Sequence, residues 1–414
     1  MVAKLKLNPV SPALFDLSQD IITEIPFEII REWNESDQAQ ETAEKILEKT
    51  KVKGTVVSSD SAGLSKLSRE KQLIEVLALL NSPKEIVFGT GVNIGGRGVG
   101  IWAADNTQMF YPDTVAPQKI VEAMLFAQSK IKEGTVQIGI GAHYGEFYEL
   151  GGGMYGAEAD FVEEFAENDT EGGEIAITES IIELLEDKDA FELTHRQDLD
   201  GKLQKVFSVA NGPIKEHSTE TDEIYPIPYS REFYDDLIVF QKSCDEKHLK
   251  KMNEKYLKEK VVVLLERERS QYPSLEIGLL YELSLMALSK KFAVELLATH
   301  GGKEIKTAGN LGIYTFDDHV KAIEFAKEIR AELEKEKIKC RMGIDFGPIA
   351  VFDLPKGGRD IAGSPVNIAS KMSQDFGKMG KIYLTKEVFE KVKPEGFEPI
   401  EIEVSKIEIE SYEG

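Results

Sequence analysis

The chain has 414 residues, enough for two or three domains, and its apolar fraction of 42% excludes a disordered acidic chain. Its 50 basic and 73 acidic residues leave a net charge of −23. Such a charge repels the phosphates of nucleic acids and anionic membrane surfaces, so we expect no nucleic-acid partner, and local cations wherever an anionic substrate binds.

Cysteine content and hydropathy indicate the compartment. The two cysteines, Cys244 and Cys340, exclude a disulfide scaffold and a zinc finger, so we expect a reducing cytoplasm. The N-terminus lacks the apolar core of a signal peptide. The longest apolar stretch, residues 279–298, is interrupted by charged side chains and predicts one or two buried helices and no membrane segment.

The sequence repeats itself at an offset of 205 to 207 residues. Three landmarks recur: a β-type run that ends in an acid, a strand-like segment followed by a helical pattern, and a glycine-containing turn followed by a helix. Their paired residues are Asp60 and Glu266, Asp105 and Asn310, and Asp160 and Asn367. The three offsets agree within two residues, so we infer two copies of one module.

In each copy, β-branched runs alternate with helical stretches, and the pattern ends in a short strand, EIAIT or KIYLT, followed by a helix. This alternation predicts an α+β fold. We expect an N-terminal extension over 1–50, a first module over 51–210, a linker and charged helix over 211–258, and a second module over 259–414.

Two strings of the second copy, DIAGSPVNIASKM and KEIKTAGNLGIYTF, resemble the class III nucleotide cyclases, and most closely the second catalytic half of mammalian membrane adenylyl cyclases. The resemblance implies that Lys306 and Asp360 read adenine and that Asn367 orients the ribose. It also implies that Lys371 stands where the family has its transition-state arginine.

The first copy resembles the complementary half of the same family. The resemblance implies that Asp60 and Asp105 hold two Mg²⁺ or Mn²⁺ ions, and that a loop containing Gly63, Leu64 and Ser65 wraps the triphosphate of ATP. It further implies two ferredoxin-like cyclase-type modules that pair head to tail about a pseudo-two-fold axis in one monomeric chain. A single ATP site would then form at their interface.

The chemistry of these residue types agrees with those roles. Mg²⁺ prefers oxygen ligands and takes one or two carboxylates together with substrate phosphates. Adenine presents an acceptor at N1 and a donor at N6, which a lysine and an aspartate complement, whereas guanine reverses both. A lysine at position 371 supplies a point charge to the α-phosphate without the two-pronged geometry of arginine.

Each residue also has an ordinary structural interpretation. A single aspartate at a strand end is commonly a turn residue, Lys306 with Asp360 could be a solvated surface pair, and Lys371 could be a solvated helix residue. The glycine-rich stretch 89–100 lacks the G-K-[ST] of a phosphate loop, and we interpret it as a β-hairpin turn. Two functions therefore stay open: an adenylate cyclase that makes cyclic AMP and pyrophosphate, and an inactive pseudo-cyclase that senses a nucleotide or binds a partner.

Overall fold

The computed structural model describes residues 26–100, 102–269, 272–355, 358–404 and 407–414. The chain divides into two compact units. The N-module contains Leu47–Pro228 and Tyr234–Asp245, and the C-module contains the residues up to Ile46, Tyr229–Phe233 and Glu246–Gly414.

Among the described helices, two precede the first sheet in the sequence and two come after it and before the second sheet: α1 (Phe27–Glu35), α2 (Gln40–Glu48), α8 (Arg231–Ser243) and α9 (Glu246–Tyr256). The N-module sheet and its helices comprise β1 (Lys51–Ser61), α3 (Leu64–Glu70), α4 (Leu73–Asn93), β2 (Arg97–Gly98), β3 (Asn106–Pro112), α5 (Pro117–Ile131), β4 (Ile138–Leu150), β5 (Gly153–Tyr155), α6 (Ala157–Asn168), β6 (Ile175–Thr178), α7 (Glu179–Glu183), β7 (Glu192–His195) and β8 (Val206–Asn211).

The C-module repeats this series: β9 (Leu257–Arg267), α10 (Leu275–His300), β10 (Lys303–Ala308), β11 (Leu311–Phe316), α11 (His319–Lys335), β12 (Cys340–Asp353), β13 (Arg359–Ala362), α12 (Ser364–Gln374), β14 (Ile382–Thr385), α13 (Lys386–Val392), β15 (Glu398–Val404) and β16 (Ile407–Glu413).

The two sheets have the same topology. Each has eight strands, in the order β2-β3-β1-β4-β6-β8-β7 in the N-module and β10-β11-β9-β12-β14-β16-β15 in the C-module. The remaining strand pairs with β4 in one module and with β12 in the other. The prediction of two α+β modules of the same kind is therefore confirmed.

Strand register fixes which residues of the two modules correspond. Asp60 lies opposite Asn106 in β3, and Glu266 lies opposite Leu311 in β11, so the residues just before these partners, Asp105 and Asn310, also correspond. The offsets found in the sequence thus reflect equivalent positions in two copies of one sheet.

Strand β9 of the C-module is buried because its sequence is apolar on both faces. In β9 the run from Val261 to Leu265 is fully buried, and Val261, Val263 and Leu265 pack into a core with apolar side chains of α10 and α11. Such continuous apolar runs are typical of strands covered on both sides. In the N-module, a core forms around Val56, Phe147 and Phe165 on the face of the sheet that α6 covers.

The apolar stretch 279–298 lies within one helix, α10, most of whose residues are buried. This agrees with the expectation of a buried helix. In the part of the chain that the structure describes, every helix is too short or too polar to cross a lipid bilayer.

The prediction of a hairpin turn over residues 89–100 is wrong for its first half. Gly89 and Gly91 lie in the last turns of α4, and only Arg97–Gly98 forms a strand, β2, paired with β3. A Cβ atom at Gly89 would lie 1.9 Å from the carbonyl oxygen of Thr219. Glycine is therefore present there because another backbone segment packs against the helix, and not because the chain turns.

A glycine in β12 sets how closely α12 packs on the C-module sheet. A Cβ atom at Gly343 would lie 2.1 Å from the carbonyl oxygen of Ala369 in α12. We expect Gly343→Ala to push this helix away and to lower the free energy of unfolding by about 1–3 kcal/mol, as overpacking does. Urea denaturation measures the change.

Gly134→Ala is the control for this prediction, because its Cβ atom would meet the carbonyl oxygen of Ile131 at 3.3 Å. We expect this variant to unfold close to the native midpoint. Equal midpoints for Gly343→Ala and the native protein would show that the contact between α12 and β12 is looser than described.

Candidate active site

Two carboxylates come together at one end of the N-module sheet. Asp60 is the penultimate residue of β1, and Asp105 directly precedes β3, its neighbour. The hydroxyl of Ser61 donates a hydrogen bond of 2.8 Å to the carbonyl oxygen of Asp105, which ties the two strand ends together. The structure thus places the two predicted metal ligands side by side.

The electrostatics of this end of the sheet favour a cation. Burial, followed by the negative charges of Asp105 and Glu167, raises the pKa of Asp60 from its ordinary 3.8 to about 7. A site of oxygen donors with excess negative charge fits the ligand preference of Mg²⁺. Among the described residues no set of three or more His, Cys, Asp or Glu side chains is placed to hold a metal ion, so further ligands would be other oxygen atoms, such as those of the backbone, a substrate or water.

Lys84 is a residue of this site that the sequence analysis missed. Its side chain is buried, its ammonium group donates to the carbonyl oxygen of Ala103, and its charge acts to lower the pKa of Asp60. It therefore supports the segment that leads into Asp105. The repeat contained a signal for it, because Lys290 lies 206 residues later and is buried in the corresponding helix.

The predicted triphosphate loop follows Asp60 directly. Gly63 has a φ of +78°, a backbone conformation that favours glycine, and its carbonyl oxygen accepts from the amides of Lys66 and Leu67 at the start of α3. Leu64 packs its side chain into an apolar cluster with Val76. A contribution of Leu64 to substrate binding would therefore come from its backbone. The side chain of Ser65 lies outside the described part of the chain.

The corresponding end of the C-module sheet carries its own cation. Glu266 replaces Asp60, and Arg341 pairs with it at 2.6 Å, whereas the N-module has Gly139 opposite Asp60. The amide of Asn310, which replaces Asp105, donates to the same glutamate at 3.3 Å. An arginine in this position neutralises the only carboxylate of the pair, which leaves the C-module poorly suited to a divalent metal.

The predicted base-reading pair is formed in the C-module. Lys306 in β10 donates to the carboxylate of Asp360 in β13 at 2.9 Å. Asp360 is buried and also accepts from the amide of Ile361 at 2.8 Å. The pair is thus a partly buried ion pair and not a solvated surface one. In the N-module, Gly153 of β5 occupies the position equivalent to Asp360 of β13, so this module has no carboxylate there.

The two remaining predicted residues lie on α12. Asn367 is exposed and Lys371 is half-buried, and four residues separate them, so they share one face of the helix. At the equivalent positions α6 carries Asp160 and Glu164. The structure brings the predicted residues together within each unit: Asp60 with Asp105, Lys306 with Asp360, and Asn367 with Lys371.

Comparison with known protein families gives a match within the C-module. Residues 285–412 match the adenylate and guanylate cyclase catalytic domain. A search of curated proteins found no match to the chain.

Similar solved structures have low sequence identity to this chain. A class III adenylyl cyclase-like ATP-binding protein from Pseudomonas aeruginosa is 12% identical, with a TM-score of 0.51, over 82% of this chain and 85% of that one. The adenylyl cyclase CyaB from P. aeruginosa is 17% identical, with a TM-score of 0.33, over 38% of this chain and 93% of that one. The guanylate cyclase domain of RhGC from Catenaria anguillulae is 19% identical, with a TM-score of 0.32, over 37% and 94%.

The match to the first of these structures covers most of the chain, and at this sequence identity the similarity shows the fold alone. Residues 285–412 are therefore similar to the adenylate and guanylate cyclase catalytic domain, in a chain that contains two modules of the same topology.

Proposed function

We propose that the protein is an adenylate cyclase that converts ATP to cyclic AMP and pyrophosphate. The observation that carries the proposal is the ion pair between Lys306 and Asp360, at the positions that the family resemblance assigns to purine reading. The ammonium group can donate to N1 of adenine while the carboxylate accepts from the N6 amino group. Guanine offers a donor and an acceptor in the reverse order, so this pair favours ATP.

The proposal assigns Asp60 and Asp105 to two Mg²⁺ or Mn²⁺ ions. Bound there, divalent ions would make the ribose 3′-hydroxyl more acidic and balance the charge of the leaving pyrophosphate. The residues themselves supply anionic oxygens held in place by β1 and β3, and Ser61 fixes the segment that carries Asp105. The carboxylates and the base-reading pair would serve the same nucleotide in one chain.

The remaining roles follow from side-chain chemistry. We assign Asn367 to the ribose, where its amide can donate to or accept from a sugar oxygen. Lys371, on the same face of α12, would neutralise charge that develops on the α-phosphate. The amides around Gly63, Leu64 and Ser65 would contact the triphosphate, since backbone N–H groups of a tight turn suit anionic oxygens.

A second candidate function is ATP binding without turnover. Lysine at position 371 favours it, because it lacks the paired donors of the arginine that the family uses there. The P. aeruginosa structure of similar fold is itself described as an adenylyl cyclase-like ATP-binding protein. The two functions make different predictions for variants of Lys371.

The first prediction concerns Asp60. Its pKa is about 7 in the folded chain and near 3.8 when unfolded, so the folded state loses stability as the pH rises between these values and keeps that deficit above pH ~7. We expect Asp60→Asn to raise the stability of the metal-free protein by ~1–3 kcal/mol at pH 8 and to abolish stabilisation by Mn²⁺. Thermal unfolding with EDTA and with Mn²⁺ measures both effects.

The exposed Asp113, in the same module, provides the matched control. Asp113→Asn should keep the native response to Mn²⁺ and the native dependence of stability on pH. If Asp60→Asn is less stable than the native protein without metal, or if Mn²⁺ still stabilises it to the native extent, the assignment of Asp60 to the metal is wrong.

The second prediction concerns base choice. The native protein should prefer ATP to GTP, and combining Lys306→Glu with Asp360→Cys should shrink or invert that preference. Each mismatched polar group leaves a donor or acceptor unpaired, at about 1–3 kcal/mol. Competition between the two nucleotides, measured as kcat/KM for each, gives the ratio directly.

Lys303→Glu is the control, because Lys303 is an exposed lysine on the same strand as Lys306. It should leave the preference for ATP unchanged. Equal use of ATP and GTP by the native protein would contradict the adenine-reading role of the pair.

The third prediction concerns Lys371. If this side chain supports the transition state, Lys371→Arg should raise kcat and Lys371→Ala should lower it ~10²-fold or more. Lys391→Ala, at an exposed position of α13, should leave the rate unchanged. An active native protein with an unaffected Lys371→Ala variant would assign the role to another cation. No turnover by the native, arginine and alanine forms alike would favour ATP binding without catalysis.

A further inference from the structure

The segment that follows β8, residues 212–228, packs onto the N-module although its sequence resembles a linker. We call this segment the connector. Its apolar residues near the end, Tyr225 and Ile227, are only 2% and 5% exposed. The connector therefore covers a specific part of the N-module surface.

Tyr225 and Pro226 contact Trp102 through ring stacking and a backbone hydrogen bond. The ring of Tyr225 stacks on the indole of Trp102, with centroids 5.2 Å apart and planes 16° apart. The amide of Trp102 donates to the carbonyl oxygen of Pro226 at 3.0 Å. The phenolic hydroxyl of Tyr225 donates to the side chain of Asn81 in α4, which fixes the ring from the other side.

Trp102 begins the short segment that carries Asp105. Its indole N–H donates to the carbonyl oxygen of Gln108 in β3 at 3.0 Å, and the next residue, Ala103, donates its amide to Asn106 at 2.9 Å. Lys84, whose ammonium group lies 5.9 Å from the centroid of the Tyr225 ring, donates to the carbonyl oxygen of Ala103. Contacts within the N-module thus extend from Tyr225 to Ala103 and Asn106, which lie on either side of Asp105 in the chain.

We propose that Tyr225 is a positioning residue for Asp105, so that the connector sets the metal affinity of the N-module. This inference rests on the proposed function, in which Asp105 is a metal ligand. A ligand on a segment fixed before the ion arrives loses less conformational freedom on binding. Replacing a residue that orients a metal ligand without contacting the metal typically lowers the metal affinity by about 10- to 100-fold.

The chain's own tryptophans supply the readout. The sequence contains two, Trp33 and Trp102, so Trp33→Phe leaves Trp102 as the single tryptophan, three residues from Asp105. In the full chain with this background, quenching of Trp102 by paramagnetic Mn²⁺ reports ion binding without any need for catalysis. We expect Tyr225→Leu to weaken Mn²⁺ binding about 10- to 100-fold.

Two further variants separate positioning from general loss of packing. Tyr225→Phe keeps the ring that stacks on Trp102 and should restore Mn²⁺ affinity to within about threefold of the native value, as a conservative replacement of a positioning residue does. Tyr229→Leu is the matched control, since Tyr229 is also buried, at 1% exposure, but its ring packs on Phe233 and Phe352 of the C-module. It should bind Mn²⁺ with native affinity.

The outcomes distinguish this inference from the function on which it rests. If Asp105→Asn abolishes Mn²⁺ binding and Tyr225→Leu binds as tightly as the native chain, the positioning role is wrong and the metal site stands. If Mn²⁺ binds with the same affinity to Asp105→Asn as to the native chain, or binds neither, the metal assignment and the inference both fail. If Tyr225→Leu does not fold, the test is the rate of amide hydrogen exchange at residues 102–106 in Tyr225→Phe and Tyr229→Leu. The inference requires that these amides exchange as slowly in both variants as in the native protein. Faster exchange in Tyr229→Leu than in Tyr225→Phe would contradict it.

Discussion

The juxtaposition of Asp60 and Asp105 is the arrangement on which the rest of this account depends. Burial and neighbouring negative charge oppose ionisation of Asp60. The folded state would therefore be more stable with a neutral side chain at position 60. Lys84 compensates part of this charge from a buried position. An arrangement that is unfavourable alone and favourable with a cation is what a metal-dependent site requires.

The two modules share one topology but differ in charge at equivalent positions. Where the N-module has a carboxylate pair, the C-module has a glutamate neutralised by Arg341. Where the C-module has the pair of Lys306 and Asp360, the N-module has Gly153 in place of the aspartate. In the proposed function each module therefore supplies one part of the chemistry, and the activity needs both.

Sequence reasoning predicted the features that depend on local pattern and repetition. The repeat offsets identified equivalent residues that strand register then confirmed, and the apolar run of α10 predicted its burial. It missed features that depend on distant contacts. The helical state of Gly89 follows from its packing against Thr219, and the last two strands of each module lie beyond the predicted ends EIAIT and KIYLT. The role of Lys84 depends on a carbonyl group 19 residues away.

The proposed activity requires that Asp60 and Asp105 of the N-module act on the same ATP molecule as Lys306 and Asp360 of the C-module. Incubating the purified full chain with ATP and Mn²⁺, and measuring cyclic AMP and pyrophosphate in the same samples, tests it most directly. The account predicts that both products form in equal amounts, and that EDTA stops their formation. ATP that binds and is recovered unchanged, or that is converted to ADP and phosphate, would contradict it.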